Sequence, residues 1–477
     1  MAAAAGDKRE LFENTPIPKA LATLAVPTII SQMINVIYNM ADSFFIGRTG
    51  NSYMMAATSI TLTIMIFNVA FANLFGVGGG SLISRLMGRK KDDEARTVSA
   101  FSFYGVIVIS LIYSFLIWLF MDQILYFMGA SAETIDYARQ YVRYVIVIGC
   151  LFNTTSQAMA FLLRNTGYAK QASFGLSGGG ILNMFLDPLF MFVILPKGLE
   201  VTGAAVATLI SNVCSFTYLL TQMIKASKTA PLSISPAQAG KISRSNMKNV
   251  FSVGIPSALL LAMFDLANVC ANKIASSHSD LVLAGLGIVM KIERIPNGIN
   301  VGISQGLLPL VAYNFASGNH ERMQEAIRYS RKVGFIVSGI CIVLLEIAAR
   351  PVTNFFLSTR AGDTASAMVT VALAARFLRI RCLASPFQFI NYSSSYNMQG
   401  MGNGRGTLIH AFVRELVFYI PYMFLLDKLF GENGLAAALP VGEACGAVAA
   451  LLLVRYTIKK AQEKRSAQGA SDPKAEK

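Results

Sequence analysis

Apolar residues form long runs along almost the whole chain, and polar residues are confined to shorter stretches between these runs. A helix that crosses a bilayer needs about 20 mostly apolar residues, and runs of that length recur from one end of the sequence to the other. The pattern therefore predicts an all-α membrane protein with about 12 transmembrane helices. They lie near residues 20–46, 55–83, 97–120, 138–163, 173–195, 203–224, 250–272, 281–312, 333–349, 370–398, 408–427 and 434–456.

The sequence also repeats itself at low similarity. Four short patterns of the first half recur in the same order in the second half, at 24–27 and 253–256, 76–80 and 302–306, 164–167 and 399–402, and 203–207 and 434–438. Repeats of this kind are typical of transporters whose binding site lies at the repeat interface. We predict two six-helix bundles related by internal pseudo-symmetry, an N-lobe at 20–224 and a C-lobe at 250–456. A linker at 225–249 joins them, with tails at 1–19 and 457–477.

Composition agrees with a membrane location. Hydrophobic residues make up 54% of the chain and charged residues only 14%, where soluble domains have about a quarter. The formal net charge of +15 comes from Lys and Arg clustered in the two tails, the linker and the loops near residues 89–96 and 322–332. Such clusters mark cytoplasmic loops, so we expect both termini in the cytoplasm and no nucleic-acid partner.

The first predicted helix carries a stripe of polar residues. Gln32, Asn35, Asn39 and Asp42 follow one another at spacings of three, four and three, which places them on one helix face. A charge inside the bilayer costs several kcal/mol, so this face must meet protein or water. Asp42 is either a functional carboxyl or an interfacial residue at the helix end.

The fifth predicted helix carries Asn183 and Asp187, which are four residues apart and share a face. An amide oxygen beside a carboxylate can bind Na⁺ or hold a protonated carboxyl group. The alternative is that Asp187 and Pro188 mark a helix end at the membrane surface. Against that alternative, residues 189–195 remain apolar for nearly two further turns.

The second half has its own candidates. Asp265 lies among apolar residues without a basic neighbour at helical spacing, which suits either a proton-coupled site or a structural hydrogen bond. Further polar residues share helix faces and either line a central cavity or join helices; they are Gln388, Asn391, Tyr392, Ser395, Asn153 and Gln157. Three glutamates, Glu293, Glu415 and Glu443, are weaker candidates. Glu293 has Lys291 and Arg294 beside it and Glu415 has Arg414, so we expect pairing there.

Nothing in the sequence indicates an enzyme or a cofactor. The glycine-rich stretches at 76–80 and 400–406 lack the strand, turn and helix of a nucleotide site, and no Walker motif is present. The six cysteines and three histidines have no metal-site or catalytic spacing. We expect no metal beyond a coupling Na⁺ at Asp42, Asn183 and Asp187.

Several motifs resemble the multidrug and toxic compound extrusion (MATE) family, in its bacterial multidrug-efflux branch. They are YNMADSFFIG at 38–47, RNTG at 164–167, LNMFLDP at 182–188, QGLLP at 305–309 and YNF at 313–315. The resemblance covers about residues 15–458. It implies a plasma-membrane transporter, expected to be a monomer, that exchanges H⁺ or Na⁺ for small, mainly cationic organic compounds.

The resemblance also implies roles for individual residues. A cation site of the N-lobe would use Asp42, Asn183 and Asp187 with a helix-six threonine that matches Thr208, and Tyr38 would join the cavity residues. Pro27 would bend the first helix. A second site would use Asp265, nine residues after Pro256, but its usual partner aligns near the neutral Gln388. The N-lobe is therefore the expected coupling site.

Two other functions remain open at this stage. A flippase or exporter of a lipid-linked or other endogenous precursor would share the fold, but it should have a strongly cationic cavity. A receptor or membrane enzyme would need a soluble domain or a catalytic constellation. The acidic and amide-rich residues of the predicted spans favour cationic cargo.

Overall fold

A computed structural model describes residues 9–358 and 364–470, and the regular structure of these residues is helical throughout. The fold class predicted from the sequence, an all-α membrane protein, is confirmed. The ends of the predicted tails, residues 1–8 and 471–477, lie outside the described residues.

The helices follow one another with short connections. Those of the first part of the chain are α1 (Ile17–Arg48), α2 (Ser52–Gly88), α3 (Asp92–Leu119), α4 (Met121–Phe127), α5 (Ile135–Val142), α6 (Cys150–Asn165), α7 (Ala169–Leu189), α8 (Glu200–Ala226) and the short α9 (Pro236–Ala239). The rest are α10 (Arg244–His278), α11 (Asp280–Ser317), α12 (His320–Ser358), α13 (Thr364–Cys382), α14 (Ser385–Gly400), α15 (Gly404–Phe412), α16 (Ile420–Phe430) and α17 (Glu432–Ala470). Wider π-helical turns at Arg143–Ile148, Phe190–Ile194 and Val413–Tyr419 extend α5, α7 and α15.

Within the described residues, nine helices are long and apolar enough to cross a membrane, and a tenth span results if the pair bent by 47° at Gly149 is counted as one. The predicted span at 370–398 was wrong in one respect, because it consists of two helices, α13 and α14. Pro386 lies in the first turn of α14, where a proline is tolerated but cannot continue a preceding helix.

The chain divides into two compact units. The first comprises Met1–Ala258, Val301–Tyr329 and Gly400–Gly402, and the second comprises Leu259–Asn300, Ser330–Gln399 and Asn403–Lys477. In the first unit, α1 packs along α7 and α7 packs along α8. In the second, α17 packs against α13, α16 and the π-helical turn before α16. The predicted lobes at 20–224 and 250–456 are defined by the sequence repeat, and they stay a prediction.

Glycines allow α1 to lie very close to α11 in the first unit. A Cβ atom on Gly306 would be 2.6 Å from the Cα of Ala25, and one on Gly302 would be 2.8 Å from the Cα of Ile29. Any larger residue would push the two backbones apart, which is the usual reason for small residues at four-residue spacing in membrane helices.

The segment before α1 is part of the first unit's packing. Phe12 is fully buried and stacks on Tyr313 with 5.2 Å between ring centroids. Arg9 bonds both carboxylate oxygens of Asp92 at 2.6 and 2.7 Å, and Arg322 donates to the carbonyl oxygen of Phe12 at 2.7 Å. Residues 9–15, predicted as tail, are thus fixed to the starts of α3 and α12.

Candidate functional site

Three helices of the first unit bring the predicted cation-site residues together. Asp42 lies on α1, Asn183 and Asp187 on α7, and Thr208 on α8. The amide nitrogen of Asn183 donates to Asp187 at 3.0 Å and to the hydroxyl of Thr208 at 3.3 Å. Asp187 is fully buried, and Asn183 and Thr208 are almost so. The spacing of four residues puts Asn183 and Asp187 on the face of α7 that meets α8.

Asp42 joins this group from the facing helix. It is half-buried and lies close enough to Asp187 for their charges to interact. Three oxygens of the group are buried without a hydrogen-bond partner among the described residues: Oδ1 of Asp42, Oδ1 of Asn183 and Oδ2 of Asp187. Leaving a buried polar atom unpaired costs about 1–3 kcal/mol, so three in one place call for a ligand.

A tyrosine that the sequence did not single out also belongs to the site. Tyr141, on α5, is 3% exposed and lies near Asp42, Asp187 and Thr208. Tyr38 of α1 interacts with the same two carboxyl groups. The sequence offered one sign of the role of Tyr141: it carries a hydroxyl group on the buried face of an amphipathic helix.

The remaining first-half candidates form hydrogen bonds with one another and with Gln305. Asn39 donates to Asn35 along α1 at 2.7 Å to the carbonyl and 2.9 Å to the side chain, and Gln157 donates to Asn153 at 2.6 Å. Gln32 donates to Gln305 at 3.4 Å. Pro27 lies inside α1, where it removes one backbone hydrogen bond.

Two of the second-half candidates, Asn391 and Ser395, belong to a buried polar network. Asn391 donates to the side chain of Glu443 at 2.6 Å, while His410 bonds Asn391 at 3.1 Å and Ser395 at 2.9 Å. Arg414 holds Glu443 with two bonds of 2.5 and 3.0 Å. Every side chain of this network is at most 3% exposed.

Of the other second-half candidates, Tyr392 contacts this network. Tyr392 lies under Arg414, with 4.9 Å from Cζ to the ring centroid, and Gln388 is 5% exposed. Asp265 is half-buried, and the charge of Arg294 acts on it. The cavity role of these residues stays a prediction.

The paired glutamates were predicted with mixed success. Glu293 bonds Arg381 at 2.8 and 2.9 Å, so within the described part of the chain its ion-pair partner is neither Lys291 nor Arg294. Glu415 does approach Arg414, as expected, at 3.5 Å. A sequence neighbour is a weak guide to a buried ion pair, because adjacent residues on a helix point in different directions.

Comparison with known proteins decides the family. The sequence profile of the MatE family matches residues 27–189 and 256–425, which is more than half of the chain. The chain belongs to the MatE family. This agrees with the resemblance drawn from the sequence motifs.

Its relatives include multidrug export proteins named MepA. The protein from Staphylococcus haemolyticus is 30% identical over 455 residues, covering 94% of this chain and 97% of the relative. That from Staphylococcus aureus strain MRSA252 is 30% identical over 443 residues, covering 93% and 94%. Both matches extend over nearly the whole of each protein.

Solved structures agree on the fold. A MATE crystal structure in complex with MaL6 superposes with a TM-score of 0.89 at 22% identity, over 95% of this chain and 99% of that one. An outward-facing multidrug resistance MATE transporter of the MOP superfamily gives 0.86 at 23%, over 95% and 98%. The chain therefore has the fold of these structures over almost its whole length.

Proposed function

We propose that this MatE protein exports small, mainly cationic organic compounds in exchange for H⁺ or Na⁺, and that the coupling ion binds at Asp42, Asn183, Asp187 and Thr208. The observation that carries the proposal is the set of three buried, unpaired oxygens on Asp42, Asn183 and Asp187. The MepA relatives, which are multidrug export proteins by name, support the transport of drugs.

The chemistry of the site suits a small cation. Na⁺ prefers carboxylate, amide and hydroxyl oxygens, and all three kinds meet at Asp187, Asn183 and Thr208. A proton would serve instead by neutralising one of two carboxyl groups that cannot both be charged cheaply in a buried place. Either ion removes the negative charge that attracts a cationic drug.

Ion binding and drug binding would therefore compete. An ion entering from outside would neutralise Asp42 and Asp187 and release the drug outward, and loss of the ion to the cytoplasm would restore affinity. Exchange of one such ion for a singly charged drug moves no net charge, so the concentration gradient of the ion drives it; for a neutral compound, a potential of about 100 mV adds about 2.3 kcal/mol, enough for about a forty-fold gradient. One ion per cycle is thus a useful driving force.

The chain would act in the plasma membrane of a bacterium as a monomer, with both termini cytoplasmic and without enzymatic activity. Clusters of Lys and Arg near the described ends of α1 and α17 support this orientation. The alternative cargo, a lipid-linked precursor, is not favoured, because the first-unit site is acidic and the relatives bear names of multidrug exporters.

Efflux from proteoliposomes under an imposed pH gradient or an imposed Na⁺ gradient tests the proposal. Asp42→Asn and Asp187→Asn should each abolish ion-driven efflux, because an amide neither takes up a proton nor neutralises a cation. Asp136→Asn, whose carboxylate is 74% exposed and pairs with Arg139, is the matched control and should transport normally. Normal efflux by both site variants would rule out this coupling site.

A further inference from the structure

An apolar groove runs along the first unit between α2, α3 and the start of α10. Its cavity volume is about 420 Å³, and aromatic and aliphatic side chains line it. Three of these, Phe75, Phe101 and Phe251, contact one another edge to face with ring centroids 5.8 to 6.1 Å apart. Such a surface excludes water, because nothing on it can hydrogen-bond a water molecule.

The groove has a fixed wall. The linker after α8 lies along α3, where Tyr104 donates to the carbonyl of Ile234 at 2.9 Å and Ser99 donates to that of Ser233 at 3.1 Å. Arg96 donates to the carbonyl of Ser227 at 3.2 Å. The following turn, α9, lines the groove with Ala239, which defines the linker end of the groove. The linker is therefore part of the structure around the groove.

The other end of the groove opens onto the surface that faces lipid. Val108 lines the groove and is 53% exposed, and the same side of α3 continues with the exposed Leu111, Ile112 and Phe115. In a chain that crosses a bilayer, such a row of large apolar residues lies against acyl chains. The natural occupant of the groove is therefore a hydrocarbon chain from the adjacent lipid.

Three exposed basic residues lie close in sequence to the linker end of the groove. Lys241, Arg244 and Lys248 are exposed and flank the groove residues Ala239 and Met247 in the sequence. Clusters of basic residues beside a transmembrane helix attract anionic lipid headgroups.

Two of the three acidic residues in the first turn of α3 already have partners, and the third, Asp93, is exposed. Asp92 is bonded by Arg9 at 2.6 Å, and Glu94 is bonded by Lys91 at 2.7 Å and by Asn246 at 3.0 Å. Because Asp92 and Glu94 are already paired, they cancel less of the positive charge of the basic cluster than free carboxylates would. A cationic drug would be repelled at this rim, whereas a phosphate would be held.

We propose that this groove is a binding site for one anionic phospholipid of the leaflet on the linker side. Its acyl chain lies against Phe75, Phe101 and Phe251, and its phosphate is bound at Lys241, Arg244 and Lys248. The site joins the linker to the ends of α3 and α10. It is independent of the cation site and of the transported compound.

Tryptophan fluorescence can test the site, since the chain has a single tryptophan. In the double variant Trp118→Phe/Phe251→Trp, the indole introduced at position 251 reports from the groove, and phospholipids with brominated acyl chains quench it on contact. We expect brominated phosphatidylglycerol to quench this indole at several-fold lower mole fraction than brominated phosphatidylcholine. The native Trp118, 59% exposed near the opposite end of α3, should respond equally to both lipids.

Charge removal tests the headgroup site. Lys241→Gln/Arg244→Gln/Lys248→Gln should abolish the preference, because each basic group near an anionic headgroup is worth up to about fivefold in binding. Arg455→Gln/Lys459→Gln/Lys460→Gln, which removes the same charge from exposed positions on α17, should retain it. Equal quenching of the groove indole by the two lipids, absence of quenching, or a preference that survives the first triple substitution would each overturn the proposal.

Discussion

Substitution of Glu443 by Gln should destabilise the protein strongly. The carboxylate is 3% exposed and accepts bonds from Arg414 at 2.5 and 3.0 Å and from Asn391 at 2.6 Å. Removing one partner of a buried ion pair typically costs about 3–5 kcal/mol, because the other charge is left buried. Of its two ion pairs within the described residues, Arg414 would keep the one with Glu415, at 3.5 Å, and it would still contact the ring of Tyr392, so we expect a cost of about 3 kcal/mol.

Reversible unfolding in SDS and detergent mixtures measures this free energy. Arg414→Met should cost at least as much as Glu443→Gln, since it leaves two buried carboxyl groups without their shared cation. Glu463→Gln is the control: its partner Lys459 is 3.9 Å away and both side chains are more than half exposed, so no measurable change is expected. A Glu443→Gln protein as stable as the wild type, or an Arg414→Met protein more stable than Glu443→Gln, would refute this reasoning.

Two further predictions concern packing in the first unit. Gly306→Ala should lower the unfolding free energy by about 1–3 kcal/mol, because the new Cβ would meet the backbone of Ala25, whereas Gly47→Ala, with open space around it, should be neutral or slightly stabilising. Phe12→Ala should cost about 3 kcal/mol and make residues 9–16 sensitive to proteases, while Phe127→Ala, at a position 86% exposed, should do neither. SDS unfolding and limited proteolysis check both.

The helical spans were largely predictable from the sequence. The length of an apolar run reflects the thickness of the bilayer, so the span predicted at 20–46 is α1, Ile17–Arg48, and the one at 203–224 is α8, Glu200–Ala226. The span at 333–349 was too short, because α12 begins at His320 in a polar stretch that no bilayer rule marks as helical. Helix propensity and packing, not hydropathy, decide such extensions.

Partners in space were predicted less well. The spacing of Asn183 and Asp187 fixed a shared face, and the motif match suggested Thr208, which indeed lies 3.3 Å from Asn183. No local pattern could pair Glu293 with Arg381, because 88 residues separate them. Tyr141 was missed for the same reason, because its position at the candidate site depends on how α5 packs against α8.

The two buried acidic clusters differ in where their positive charge comes from. In the second unit, Glu443 and Glu415 share the guanidinium of Arg414, so the chain itself supplies the cation. In the first unit, neither Asp42 nor Asp187 forms an ion pair within the described part of the chain, and each keeps an unpaired oxygen. Under the proposed function, the compensating charge is a mobile ion, because carboxyl groups that are buried without a cationic partner are costly to leave charged. The proposed cycle needs such a site, which is neutralised when the ion binds and charged again when the ion leaves, whereas a fixed arginine would neutralise it permanently.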